Sequence, residues 1–172
     1  MKRAAAVIAG AVAALAAHGT AAAADAYLRV VDVGAGLCVV GRLPGGQDFL
    51  YDAGHWDSTQ CAAAVEELVT DNRLELVVLS HSDSDHLGEL DTILAANKAS
   101  VILSTGSRRD TNTWLDAQGA IAREVQDGAS VINLETWPLI PGMTFRLGDA
   151  KLTFIAGWHD WDSRLSDVGR KP

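Results

Sequence analysis

Four side chains of the kinds that bind divalent cations fall within six residues of this chain: His81, Asp83, Asp85 and His86. They directly follow the apolar run Leu76-Val77-Val78-Leu79-Ser80, which we predict to be a buried β-strand that holds them in place. The chain has only five histidines and 21% charged residues, so this concentration is unusual for its composition. Imidazole and carboxylate ligands at the end of a strand can bind one or two divalent cations, and such cations generate hydroxide at neutral pH.

Residues 1–24 have the composition of a secretory signal peptide. Lys2 and Arg3 precede an alanine-rich apolar stretch that runs to Ala17, and further small residues lead to an expected cleavage point. A short membrane anchor is the alternative, but the apolar stretch is shorter than the ~20 residues that a spanning helix needs. We therefore predict a mature domain of residues 25–172 that is periplasmic or secreted, with no stable membrane anchor.

The predicted mature domain is strongly acidic. Without Lys2 and Arg3 it carries 12 Lys and Arg against 22 Asp and Glu, a net charge of about −10. Such a surface repels nucleic acid at long range, so extended nucleic acid is not expected as a partner. A small-molecule or nucleotide-type substrate, held locally by metal ions, is compatible with this charge. The oligomeric state is left open.

Two cysteines, Cys38 and Cys61, remain after removal of the signal peptide. Cys61 falls on the apolar face of a predicted helix, and Cys38 falls within a predicted strand. Two buried thiols explain these positions as well as a disulfide does, although an exported protein permits a disulfide. We favour the thiols. Neither cysteine has the spacing of a zinc ligand.

Apolar periodicity alternates between strand and helix along the predicted mature domain. An early antiparallel meander is followed by alternating strands and helices, an order that predicts an α/β fold with a layered sheet and helices outside it. The predicted strands are Tyr27–Val33, Leu37–Leu43, Phe49–Asp52, Leu74–Leu79, Ser100–Leu103, Val131–Leu134, Thr144–Leu147 and Lys151–Ile155. The predicted helices run from Asp57 or Ser58 to Asp71, from Leu87 to Asn97 and from Thr111 to Gln126.

The spacing from His81 to His86 resembles the metal-binding signature of the metallo-β-lactamase fold superfamily, in which the position of Asp83 is more often histidine. This variant is most similar to the hydrolase domain attached to the DNA-uptake competence channel and to its free-standing exported relatives. Three further segments resemble motifs of the family in the expected order. They are Asp32-Val33-Gly34-Ala35-Gly36, Phe49-Leu50-Tyr51-Asp52-Ala53-Gly54-His55 and His86-Leu87-Gly88-Glu89-Leu90.

The resemblance implies an αββα sandwich and a metal-dependent hydrolase. His81 and Asp83 would bind a first metal ion, and Asp85 and His86 would bind a second. Asp85 is also the candidate catalytic carboxylate. Zinc is the first choice for the two ions, with manganese or iron as alternatives. The implied reaction is attack of metal-bound hydroxide on a phosphodiester or on another ester or amide.

The chain also departs from the family pattern. Leu37 stands where competence-type members commonly have a polar or acidic residue. Members continue further and supply a bridging aspartate and a late histidine, and neither motif is found in this chain. We therefore expect a truncated sandwich covering the first half to two-thirds, with the domain incomplete at its carboxyl end. Two alternatives to an active hydrolase follow: a fragment that binds metal without turnover, and a structural exported domain with an acidic loop.

Three other residues are weaker candidates for a role at the predicted metal site. Asp52 either orients a ligand histidine or satisfies the backbone of its own turn. His55 is predicted to lie at the surface, with an approach to the substrate as the alternative. His159, the only histidine after the cluster, is expected to pack or lie at the surface rather than to complete the ligands of the first metal ion.

Overall fold

The computed structural model describes residues 25–104, 112–133, 144–147 and 150–153 of the chain. The predicted signal peptide, residues 1–24, lies outside these ranges, and so does His159. Among the helices within these ranges, none has the length and apolar character needed to cross a membrane.

The described residues form a six-stranded sheet in which the strands lie side by side in chain order. The first three strands are antiparallel, and the third to sixth strands run parallel to one another. Because these four strands share a direction, their carboxyl ends lie at one edge of the sheet. The strands are β1 (Tyr27–Val30), β2 (Cys38–Arg42), β3 (Asp48–Ala53), β4 (Arg73–Val78), β5 (Lys98–Ser104) and β6 (Ser130–Asn133).

The helices in the described ranges pack on one face of this sheet and form the main core with it. The apolar residues of β4 are buried on both faces of the sheet: Leu74 and Val77 belong to this main core, and Leu76 and Val78 lie on the opposite face. The helices are α1 (Gln60–Leu68), α2 (Ser84–Leu87), α3 (Leu90–Ala96) and α4 (Asn112–Gln126).

The helix predicted from Leu87 to Asn97 is wrong in its start and its continuity. Helix α2 begins three residues earlier, within the His/Asp cluster, and a break separates it from α3. At this break the backbone N–H groups of Gly88 and Glu89 donate to the carbonyl oxygens of Gly54 and Ala53, 2.9 Å away in each case. These bonds replace the helical ones and attach the segment to the end of β3.

The opposite face of the sheet carries a smaller core of Leu76, Val78 and Leu103. An antiparallel hairpin of β7 (Thr144–Leu147) and β8 (Ala150–Thr153) packs on it through Leu147 and Leu152. The described residues thus contain a helical layer, the main sheet and strands of a second sheet. The predicted layered α/β fold is confirmed.

Cys38 and Cys61 form a disulfide, so the expectation of two thiols is wrong. Both residues are fully buried, and their Cα atoms are 5.9 Å apart. Cys38 begins β2, which pairs with the end of β3, and α1 packs its inward face over the same place. The apolar face of α1 that carries Cys61 therefore packs against the strand that carries Cys38, and this packing brings the two sulfur atoms together.

Replacing both cysteines by serine should lower the free energy of unfolding by about 3 kcal/mol, the loop-entropy contribution of a bridge that closes about 23 residues. Urea unfolding with and without reductant measures this effect. Reductant should destabilise the wild-type protein by a similar amount and leave the double variant unchanged. Equal stability of the oxidised and reduced wild-type protein would contradict the prediction.

Candidate metal centre

Asp52, His81 and His86 converge where β3 and β4 end at the common edge of the sheet. One potential ligand atom from each side chain lies within 4.8 Å of the others. Asp52 lies at the end of β3, His81 follows β4, and His86 lies in α2. Because β3 and β4 are parallel neighbours, these separate segments reach the same place.

The Asp52 carboxylate is the centre of the hydrogen-bond network at this site. It is completely buried and accepts two hydrogen bonds of 2.7 Å from Ser80, one from the backbone N–H and one from the hydroxyl. One of its oxygens also lies 2.7 Å from Nδ1 of His86. Of the two roles considered for Asp52, the structure supports the orientation of a histidine.

This network determines which nitrogen of each histidine carries a proton. A carboxylate only accepts, so His86 donates its Nδ1–H to Asp52. Ser80 gives its single hydroxyl proton to Asp52, so its Oγ accepts from Nδ1–H of His81, 2.8 Å away. In the neutral form of both rings, Nε2 is then the unprotonated nitrogen, the one whose lone pair can bind a metal ion.

Ser80 was not identified by sequence reasoning, which treated it as the end of the strand. The available signal was its position directly before His81, at the point where a buried strand ends.

Asp83 and Asp85 lie beside the two histidines in the pairs that the resemblance implied. An Asp83 oxygen is 3.5 Å from Nε2 of His81, and an Asp85 oxygen is 3.6 Å from Nε2 of His86. The two imidazole rings are themselves adjacent, with centroids 4.0 Å apart. All four residues of the predicted cluster thus face one small region, and their assignment as ligands stays a prediction.

Negative charge around His86 affects its protonation. Burial lowers the pKa of this imidazole, but the hydrogen bond and charge of Asp52, with the charges of Asp85 and Asp83, together raise it above the ordinary value. A metal ion binds only the neutral ring, so metal binding competes with protonation of Nε2.

The glycine loop between β1 and β2 supports the segment that carries Asp85. The Leu37 N–H donates to the Asp85 carbonyl oxygen at 3.2 Å. Gly36 has a φ of +107°, and a Cβ at this position would lie 1.9 Å from the same oxygen. Only glycine permits this approach, which explains the second glycine of the loop.

The end of β3 supports the segment from its other side. A Cβ at Gly88 would lie 2.1 Å from the Trp56 nitrogen, so the start of the α2–α3 break rests directly on the loop after β3. The buried Glu89 carboxylate continues this attachment to α1 by accepting hydrogen bonds from the N–H groups of Cys61 (3.1 Å) and Ala62 (2.8 Å). Sequence reasoning missed this role of Glu89.

His55 is half-buried and lies outside the group formed by Asp52 and the two histidines. Its Nδ1 accepts a hydrogen bond of 3.1 Å from the Asp57 N–H, and its ring lies against Trp56 with centroids 5.1 Å apart. It forms part of the loop beside the site.

Comparison with known proteins identifies one matching family model. Residues 31–157 match the family model described as the metallo-beta-lactamase superfamily. No curated protein matches the chain.

We predict that neutral His81 and His86 both carry their proton on Nδ1 in the metal-free protein. Replacing Ser80 by alanine should release the tautomer of His81, preserve that of His86 and weaken metal binding about 10- to 100-fold. Imidazole ¹⁵N shifts and metal titration measure these effects. Replacement of the exposed Thr92 by alanine is the control and should change neither quantity. An Nε2-protonated His81 in the wild-type protein would contradict the prediction.

We also predict that Gly36→Ala destabilises the protein more than Gly34→Ala. Both glycines have positive φ, which costs an alanine roughly 1–2 kcal/mol. No atom lies within 4 Å of a Cβ at Gly34, whereas a Cβ at Gly36 collides with the Asp85 carbonyl, adding about 1–3 kcal/mol. Urea unfolding compares the two variants, and metal titration should show weaker binding for Gly36→Ala alone. Equal losses of stability would disprove the role of this contact.

Proposed function

The chain belongs to the metallo-beta-lactamase superfamily, whose model matches most of its length, and we propose that it is an exported metal-dependent hydrolase of phosphodiester or other ester or amide substrates. The observation that carries the proposal is the pair of histidine Nε2 atoms held by Asp52 and Ser80, with one carboxylate beside each. A solvated acidic turn would explain neither the buried Asp52 nor the contacts of both histidine Nδ1 atoms with Asp52 and Ser80.

The donor set fits a borderline divalent cation. Zinc is bound by both imidazole nitrogen and carboxylate oxygen, so it is the first choice. Iron, which suits imidazole, and manganese, which suits carboxylate, are the alternatives. We assign His81 and Asp83 to one ion and Asp85 and His86 to a second. The support for this assignment is that each histidine Nε2 has its own neighbouring carboxylate, at 3.5 and 3.6 Å.

Bound divalent ions would supply Lewis acidity and a water molecule activated at neutral pH. The residues of the chain would hold the ligand side chains in position for such ions. The fully buried Asp52 and the half-buried Ser80 hold the two histidine rings in place. The Asp85 side chain is 38% exposed, against 20% for Asp83, so Asp85 is the carboxylate better placed to meet a substrate and to accept a proton.

The substrate class follows from charge and from the family. The acidic surface of the predicted mature domain disfavours long nucleic acids, because their phosphates would be repelled at long range. A small phosphodiester or a nucleotide-type substrate meets less repulsion and presents one group to the metal ions. A β-lactam is a second possibility, less favoured because the Asp83 variant resembles the competence-type branch. The fold alone does not decide between these substrates.

The test combines metal content with hydrolysis. We expect the purified protein to bind two equivalents of Zn²⁺ or Mn²⁺ tightly and to hydrolyse bis(4-nitrophenyl) phosphate. His81→Ala, Asp85→Ala and His86→Ala should each reduce bound metal and lower kcat/KM by more than about 100-fold, beyond the loss typical of residues that only support ligands. Asp116→Ala, which removes an exposed carboxylate on α4, is the matched control.

The other outcomes distinguish the alternatives. One weakly bound equivalent without hydrolysis of the phosphodiester, or of a chromogenic β-lactam, would indicate a metal-binding module. Retention of all bound metal by both His81→Ala and Asp85→Ala would disprove a metal site at this cluster.

A further inference from the structure

A groove with a cavity volume of about 500 Å³ lies between the loop after β1 and the loop before α1. This volume is within the range of sites that bind small molecules. The lining residues are Asp32, Val33, Gly34, Trp56, Asp57, Ser58, Thr59 and Gln60. Residues 81–86 are not among them.

Both walls of the groove contact the segment that carries two of the predicted metal ligands. The wall that contains Gly34 continues to Gly36, which lies against the Asp85 carbonyl. The wall that contains Trp56 lies against Gly88 through its backbone. The loops on both sides of the groove are therefore attached to the segment 85–88, which carries Asp85 and His86.

Trp56 provides an accessible aromatic surface in this groove. Trp56 is 59% exposed, whereas no residue of the buried core exceeds 8%. The neighbouring His55 ring, with its centroid 5.1 Å away, restricts the positions available to the indole. An exposed indole face attracts flat rings by stacking and organic cations through its π electrons.

The charges of the groove favour a cation over an anion. The carboxylates of Asp32 and Asp57 are both exposed there. The amino end of α1 would ordinarily attract an anion, but the Glu89 carboxylate already accepts from two of its N–H groups, and the Ser58 hydroxyl accepts a third, from Gln60 at 3.1 Å. The end of this helix therefore does not offset the two carboxylates.

We propose that this groove binds an organic ammonium group of the substrate, with Trp56 contacting the cation and Asp32 and Asp57 supplying the opposite charge. The net negative charge of the chain attracts the same class of ligand at long range. The assignment of the groove to a substrate rests on the proposed hydrolase function. The binding of an ammonium group by the groove does not depend on that function.

Binding is tested on the metal-free protein with two rings of similar size and opposite charge, phenyltrimethylammonium and benzoate. NMR titration should show millimolar binding of the cation, with shifts at the Trp56 indole N–H and at the amides of residues 57–60. Benzoate should bind at least tenfold more weakly. Trp56→Ala should weaken binding of the cation at least tenfold, and Asp57→Asn should weaken it several-fold.

Two control variants separate the groove from general surface effects. Leu115→Ala removes an exposed apolar side chain from α4, and Glu66→Gln removes an exposed charge from α1. Neither should change the affinity for the cation. Equal binding of the two probes, or cation binding that Trp56→Ala leaves intact, would overturn the proposal.

The link to catalysis is tested on the metal-loaded protein with two chromogenic phosphodiesters, 4-nitrophenyl phosphocholine and methyl 4-nitrophenyl phosphate. The choline ester should have a kcat/KM at least tenfold higher, and Trp56→Ala should abolish this preference. Hydrolysis of both esters at the same rate would overturn the assignment of the groove to a substrate. Hydrolysis of neither, with the NMR result intact, would contradict the proposed phosphodiester hydrolysis and retain the ammonium site.

Discussion

The buried carboxylate of Asp52 is the interaction on which the candidate site depends. A fully buried carboxylate is stable only when its oxygens accept enough hydrogen bonds to replace water. Here the replacement comes from the Ser80 backbone, the Ser80 hydroxyl and the His86 ring. The same hydrogen bonds also hold Ser80 and the His86 ring in place against Asp52. The backbone of Asp52 itself has a φ of +55°, an uncommon conformation for a residue other than glycine, and the fold maintains it at this position.

The surrounding structure makes this network rigid. The disulfide lies directly behind it, since Cys38 pairs with Ala53 across the sheet and Cys61 Sγ is 4.0 Å from the Asp52 carbonyl oxygen. The segment of α2 is attached to the glycine loop on one side and to the end of β3 on the other. The side chains of the candidate site lie on loops and a four-residue helix, but these attachments fix their positions relative to the sheet and the core.

The same contacts attach both loops of the groove to the segment that carries Asp85 and His86. The same glycine loop that supports Asp85 forms one wall of the groove, and the same loop that supports Gly88 forms the other. An ammonium group bound in the groove, as we propose, would therefore be held at a fixed position relative to the predicted metal ligands Asp85 and His86. In the hydrolase that we propose, the metal centre would contribute reactivity, and the groove would contribute selectivity through Trp56 and the carboxylates of Asp32 and Asp57.

The sequence alone determined the order of strands and helices, the buried character of β4 and the concentration of ligand side chains from His81 to His86. These features depend on local periodicity and on neighbours within a few residues, which can be read along the chain. Only the tertiary structure decided that Cys38 bonds to Cys61, that Ser80 fixes the tautomer of His81 and that Glu89 holds the start of α1. It also decided where the helix after the cluster breaks. Each of these features joins segments that are distant in the sequence, and such contacts depend on how helices pack on the sheet rather than on any local pattern.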